Sequence, residues 1–413
     1  MSYDFTTRPN RSGSGSLKWN AMYEKNPRVG SNIVPLSVAD MELENPPQIK
    51  EALHRYLDGA VLGYTDATPA FVDACCAWQR RRHGWNAEDR WLVTSPGVVP
   101  ALSNAVRAYS EPGDGVIIQP PVYRPFRSAV ERNARTVVTN PLRVTGGASG
   151  AHHYEIDFDN LVEKAADPSN KLLILCSPHN PVGRVWSAVE LRRMLDICIQ
   201  NDVLVVCDEI HDDLVMPGQE HTALMAVADA GEYDRIVVCT APSKTFNIAG
   251  CQASAIFIPD EARRSAYRSE MERCAQGELN AFAYPATIAA YNECEDWLDE
   301  LIGLVWSNYQ LLKGSIEASL PTVEVYPLEG TYLAWVDFRG WRLSDAELER
   351  FMTQEALLFL DEGYVFGEGG SGFERINLAC PREVLVEAID RLVRAAHEHG
   401  LDMVGERGHE VLD

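Results

Sequence analysis

Between Trp91 and Ile258 the chain repeats one pattern, a short β-branched run followed by a stretch of helical periodicity. The runs are Trp91–Thr94, Val116–Gln119, Thr136–Val138, Leu172–Cys176, Val203–Cys207, Ile236–Cys239 and Ala253–Ile258. Strands that alternate with helices are joined by crossovers, so the pattern predicts an α/β fold with a mostly parallel seven-stranded sheet. One of the intervening helices is written out in full. Ser187-Ala188-Val189-Glu190 is a capping box, and Leu191, Met194, Leu195, Cys198 and Ile199 follow at i, i+3, i+4, i+7 and i+8, one buried face.

The flanks differ in character. Residues 1 to about 35 are rich in Ser, Gly, Asn and Arg and predict an extended arm of the kind that wraps a neighbour. Pro35–Met41 reads as a short strand, Pro46-Pro47 opens a helix over Gln48–Leu57, and a Gly-, Asp- and Pro-containing loop, Gly63–Pro69, precedes a helix over Phe71–His83. Arg143–Tyr154, with its cluster of glycines, reads as a surface excursion. After Tyr284-Pro285 come long helices, Ala286–Cys294 and Trp297–Leu320, and then a smaller α+β module. That module holds runs at Thr322–Tyr326, Thr331–Phe338 and Phe373–Ala379, a second capping box at Ser344–Glu347, and a last helix from Arg382. The expected division is an arm with a small-domain segment (1–45), a large domain (46–285), a C-terminal small domain (286–400) and a polar tail (401–413).

Composition excludes several functions. With 37 basic and 60 acidic residues the net charge is -23, which repels nucleic acid and anionic membrane surfaces. No apolar run approaches the roughly 20 residues of a membrane span, and Met1–Ser16 lacks a signal-peptide pattern, so a cytoplasmic protein is expected. The ten cysteines contain no C-x-x-C pair and several lie in strand runs, which predicts free thiols and no metal site.

Chemistry-bearing residues fall where predicted strands empty into loops, the usual address of functional groups in such sheets. Lys244, in Ala241–Gly250 after the run Ile236–Cys239, reads either as a Schiff-base nucleophile or, on this stretch alone, as an ordinary solvated lysine. Thr94–Leu102 is a strand, a glycine turn and a helix start, so Gly97 and the Val98 and Val99 amides offer a phosphate cradle, or are one of the many such turns that bind nothing. Tyr123, flanked by prolines, offers a face to a planar ring. Asn180, before a proline, offers an amide to a phenolate oxygen, or is a plain Asn-Pro turn. Asp208 ends an all-apolar strand, where an acid is costly unless paired; a pyridinium N–H is such a partner. Glu209 and His211, in the same Asp208-Glu209-Ile210-His211 stretch, support the loop or the site.

The fixed order Asn-Pro-x-Gly, Asp-Glu-x-His, Ser-Lys, each after its own strand, resembles the fold-type-I pyridoxal phosphate enzymes of the aspartate aminotransferase superfamily. Val38-Ala39-Asp40-Met41, Gly63-Tyr64-Thr65, Pro96–Pro100, Pro178–Arg184, Ser243–Asn247, Glu329–Tyr332 and Arg375–Ala379 make it similar to the MalY/PatB branch, the cystathionine beta-lyase-type C-S lyases. The resemblance implies that pyridoxal 5'-phosphate is held by Lys244, with Asp208 on the pyridine nitrogen, Asn180 on the ring oxygen and Tyr123 stacked on the ring. It implies that Ser243, Val98 and Val99 hold the phosphate, beside Gly97 and His211, and that Tyr64 reaches in from the other subunit of a homodimer. Arg375 clamps the carboxylate of an amino-acid substrate, with Ala39 and Asn180 alongside.

The implied reaction is β-cleavage of L-cystathionine or a related thioether to a thiol, pyruvate and ammonia. Transamination shares the early steps and is the alternative; a cofactor-binding regulatory protein is a more distant one. In many aminotransferases an arginine lies several residues after the lysine, and Thr245–Ile256 contains none, which leans toward the lyases. Ser37, Glu42-Leu43 and Cys251 depart from the pattern common in relatives, the first of them near the expected substrate entrance.

Overall fold

The computed structural model describes residues 3–147 and 150–402. Strand β1 is Leu92–Ser95, β2 Gly115–Ile118 and β3 Thr136–Thr139. A separate antiparallel hairpin, β4 (Arg143–Gly147) and β5 (Gly150–Glu155), interrupts the series where a surface excursion is expected. The series resumes with β6 (Asn170–Cys176), β7 (Leu204–Asp208), β8 (Ile236–Thr240) and β9 (Ser254–Phe257). Every expected run becomes a strand of one seven-stranded sheet, in the order β1-β9-β8-β7-β6-β2-β3. Neighbours from β8 through β3 are parallel, and β9 alone runs antiparallel to both its neighbours. The carboxyl ends of β1, β2, β6, β7 and β8 therefore share one edge.

Both faces of the sheet are dry, because the side chains alternate between two cores. Val116, Ile118, Leu172, Ile174, Val206 and Val237 pack on one side with the helix Val98–Tyr109. Ile117, Leu173, Leu175, Val205 and Val238 pack on the other with the helix Ala188–Gln200, whose capping box forms as expected. Each such side chain, taken fully from water, is worth about 1.5–3 kcal/mol.

The smaller layer is an antiparallel sheet of β10 (Glu324–Val325), β11 (Leu333–Asp337), β12 (Asp361–Glu362) and β13 (Phe373–Asn377), ordered β10-β11-β13-β12. The helices Glu295–Ser319 and Arg382–Glu398 pack together against it, and the helix Ala283–Glu293 packs on Pro47–Gly59 and Pro69–His83. A tight seam joins the layers: Gly330 N–H donates to Gly183 O at 2.9 Å, and Thr331 N–H donates to Leu214 O at 2.7 Å. Gly330 permits this approach, since a Cβ there would sit 2.8 Å from Val185 and 2.9 Å from Pro178.

Two expectations fail at the N-terminus. The arm is not simply extended: Leu17–Lys25 is a helix that buries Lys18, Trp19 and Met22 against its own chain. Nor is Pro35–Met41 a strand. Leu36 makes single backbone bonds to Phe359 and Asn377, Val38 turns to φ +54°, and side chains take up the carbonyls that follow. The tail expected over 401–413 lies outside the described residues beyond Asp402. All ten cysteines are free; Cys274 is exposed, Cys251 half-buried and the rest buried. Among the described residues no helix is long and apolar enough to cross a membrane.

Candidate active site

Five expected residues reach one cleft because each follows a strand that ends at the shared edge. Gly97 follows β1, Tyr123 follows β2, Asn180 follows β6, Asp208 closes β7, and Lys244 sits in the short turn of helix Pro242–Thr245 after β8. The second layer supplies the opposite wall: Arg375 projects from β13, and Ala39 from the irregular segment beside it.

Lys244 is half-buried in the cleft, where its Nζ donates to Ala39 O at 2.6 Å. Burial pushes its pKa down to about 8, with Arg375 adding to the effect and Asp40 and Asp208 opposing it. Asp208 moves the other way, up to about 7, because burial outweighs the Ile210 N–H bond to Oδ1 (3.1 Å) and the field of Lys244. No other donor among the described residues reaches this carboxylate. A buried acid with one weak partner calls for a cationic N–H, and a pyridinium fits that need.

The remaining groups point the same way. Asn180 accepts Arg375 Nη1 at 2.8 Å on Oδ1, while its amide NH2 has no partner among the described residues and opens on the cleft. The backbone of Asn180 accepts Tyr123 N–H at 3.0 Å, which fixes the tyrosine next to it. Burial raises the Tyr123 phenol and keeps it neutral. His211 is neutral too, since burial and then Lys244 and Arg375 depress it; its ring meets Tyr332 edge-on at 6.0 Å, and its Nδ1 is unpartnered. The helix Val98–Tyr109 begins at Gly97, φ +157°, and no side chain caps it, so the Val98 and Val99 amides remain available to an anion. Ser243 lies one residue before Lys244 in the same turn. These residues suit pyridoxal 5'-phosphate as a donor set.

Arg375 is held from three sides. Its Nη2 pairs with Asp361 Oδ2 at 2.5 Å, its direct cross-strand neighbour on β12, and its guanidinium lies 4.8 Å from the Phe366 ring. Its buried Nε has no partner. Asp361 also accepts Val38 N–H at 2.8 Å, so one carboxylate ties Arg375 to the Ala39 segment. Tyr64 stands apart, fully exposed in the loop between helices and in contact with none of these groups.

Sequence reasoning missed a buried cluster beneath Lys244. His83 Nε2 lies 2.9 Å from Asp213 Oδ1 and 3.2 Å from Asp212 Oδ2, and Asp213 also accepts Thr245 Oγ1 (2.8 Å) and Trp78 Nε1 (3.0 Å). Burial lowers the His83 pKa, but the two carboxylates outweigh it and raise it to about 9. His83 is thus a cation paired chiefly with the Asp213 carboxylate, while burial pushes Asp212 upward, and Thr245 links that cluster to the lysine turn. The run His211-Asp212-Asp213 directly after an apolar strand was the available signal. Asp361 also escaped notice, and Tyr332 stands in the Glu329–Tyr332 stretch without an expected role; it donates to Ala39 O at 2.9 Å.

The sequence pattern of the aminotransferase class I and II family matches residues 31–392. Cystathionine beta-lyase PatB of Bacillus subtilis is 43% identical over 393 residues, covering 95% of this chain and 99% of that protein. Protein MalY of Escherichia coli is 32% identical over 95% of this chain and 98% of its own. Cystalysin of Treponema denticola, whose crystal structure contains a pyridoxal 5'-phosphate cofactor, superposes with a TM-score of 0.94 at 44% identity, covering 97% of this chain and all of that one. The fold, the order of the strand-end residues and these likenesses agree: the chain belongs to the class I and II aminotransferase family, within its MalY/PatB cystathionine beta-lyase branch.

Proposed function

We propose that this protein is a pyridoxal 5'-phosphate-dependent carbon–sulfur lyase that cleaves L-cystathionine or a related cysteine thioether to a thiol, pyruvate and ammonia. The observation that carries the chemistry is the pairing of a half-buried lysine shifted down to about 8 with a buried aspartate shifted up to about 7 in one cleft. The full-length likeness to PatB favours elimination over amino transfer.

The bound cofactor supplies an electron sink for charge that develops at the substrate's α-carbon. At pH 7 about a tenth of Lys244 is unprotonated, against roughly one part in three thousand for an ordinary lysine, so it can serve as nucleophile and base. Asp208, ionised beside a ring N–H, keeps that nitrogen protonated. The Asn180 amide would donate to the ring oxygen, Tyr123 would stack on the ring, and Ser243 with the Val98 and Val99 amides would hold the phosphate. His211 would contribute a neutral side chain to the same site. Arg375 and the Ala39 peptide hold the substrate carboxylate, and Lys244 removes the α-proton and can return it to the departing sulfur.

The homodimer typical of this fold is proposed here too, with Tyr64 entering the partner's cleft. Its full exposure in a single chain fits that role. Mixing Tyr64→Ala and Lys244→Ala chains tests it: hybrid dimers regain one intact site, restoring about a quarter of parental activity at equal mixing. No recovery would place Tyr64 outside the partner's site.

The test of the reaction follows pyruvate, free thiol and the cofactor's visible spectrum with L-cystathionine. Equal pyruvate and thiol over many turnovers, with the starting spectrum retained, is the expected outcome. Conversion to the amine form of the cofactor, reversed only by an oxo acid, would make the enzyme an aminotransferase.

A further inference from the structure

The segment Val38–Leu43 forms one wall of the cleft and has no regular structure, yet each of its first four carbonyls is held by a side chain. Val38 O accepts Asn377 Nδ2 at 2.9 Å; Ala39 O accepts Lys244 Nζ at 2.6 Å and Tyr332 OH at 2.9 Å. Asp40 O accepts Lys18 Nζ at 2.8 Å, and Met41 O accepts Arg11 Nη1 at 3.2 Å. The backbone pays a conformational cost here, since the β-branched Val38 sits at φ +54°. The Ala39 N–H has no acceptor among the described residues.

Lys18 lies behind this wall with its side chain 0% exposed. Its ammonium donates to Asp40 O and forms ion pairs with Asp40 Oδ1 and Glu42 Oε1, each at 3.1 Å. Arg11 straddles the same two acids, at 2.8 Å from Asp40 Oδ2 and 2.7 Å from Glu42 Oε1, and Trp19 Nε1 donates to Glu42 Oε2 at 3.2 Å. A buried ion pair adds little net stability over an apolar isostere, so stability alone is a poor reason to bury a lysine here. What it does fix is geometry, since it pins the Asp40 carbonyl and the Asp40 and Glu42 side chains just after the free Ala39 N–H, while Asn377 and Asp361 hold Val38 just before it.

We propose that Lys18, carried on the N-terminal helix Leu17–Lys25, is a positioning residue for recognition of the substrate carboxylate. It holds the Ala39 N–H facing the same point as Arg375, with Asp361 bracing the two through Val38 N–H and Arg375 Nη2. The inference rests on the amino-acid-lyase reading of the cleft. A carboxylate held this way is bound equally before and during the chemical step, so its loss moves KM and leaves kcat.

The test compares holoenzyme and Lys18→Met on a cysteine thioether and on its carboxamide, which lacks the carboxylate. The expected result is a KM raised about tenfold or more on the acid, kcat within about threefold, and an unchanged response to the carboxamide. Arg11→Met should give a smaller shift of the same kind. A double variant, Lys18→Met with Glu42→Gln, keeps the segment free of a buried unpaired acid should the single variant fold poorly. An unchanged KM on the acid, or an equal loss on acid and carboxamide, would overturn the proposal. If the parent cleaves no thioether, the lyase reading fails by itself. Lys18 is then still tested by the concentration of unreactive amino acid needed to perturb the cofactor's absorption in each protein.

Discussion

The two walls of the cleft are built on different principles. The sheet-edge wall takes Asn180, Asp208 and Lys244 from the ends of adjacent parallel strands, and burial is the largest influence on the charge states of Asp208 and Lys244. The opposite wall takes Ala39, Asp361 and Arg375 from an irregular segment and two short antiparallel strands, and a web of ion pairs and carbonyl contacts sets their positions. One wall is organised for reactivity, the other for aim. Kinetics should separate them.

The comparison breaks most visibly at Lys244. Lys244→Ala should lower turnover on the order of 10⁴-fold while leaving the fold intact, measured by pyruvate release and by circular dichroism. Asp208→Asn should lower kcat by about 10²–10³-fold with a modest change in KM, because the ring nitrogen loses the acid that keeps it protonated. A loss confined to KM would place Asp208 with the aiming wall instead. Arg375→Lys should lower kcat/KM by about 10²-fold, about 3 kcal/mol, chiefly through KM, since a lysine cannot reproduce the planar fork.

The smallest expected effect on catalysis comes from beneath the sheet-edge wall. His83 is raised from 6.5 to about 9, so its ion pairs contribute stability that is fully present below pH 6.5 and lost as pH rises through about 9. Thermal unfolding of the parent should therefore weaken across that window. His83→Gln should remove the dependence and cost a few kcal/mol at pH 6, on the order of breaking a buried pair, with kcat within a few-fold. A large kcat loss at unchanged stability would make the cluster part of the reactive machinery.

The same contrast explains what was legible in the sequence. The sheet-edge residues each stand directly after their own apolar run, so local pattern located them and their fixed order named the family. The aiming wall has no such signal. Lys18 meets Asp40 in an irregular segment where Val38 adopts a positive φ, a turn that a run such as Pro35–Met41 does not announce. Asp361 reaches Arg375 from a two-residue strand too short to carry a period. The N-terminal residues read as an arm because their Ser and Gly content is loop-like, while the helix inside is fixed by tertiary burial of Trp19 and Met22.

The ten free cysteines acquire a meaning once the reaction is considered. A lyase of this kind releases a sulfur nucleophile inside its own cleft at every turnover, and any accessible thiol nearby would be open to mixed-disulfide formation with oxidised product. Cys176 and Cys207 lie at the ends of the very strands that carry the site, yet burial drives both thiols upward and keeps them protonated, out of the thiolate form that exchanges. Cys251 is raised by partial burial as well. Of the ten thiols Cys274, at the end of the helix Glu261–Arg273, is the exposed one, while those at the strand ends are held in the unreactive form.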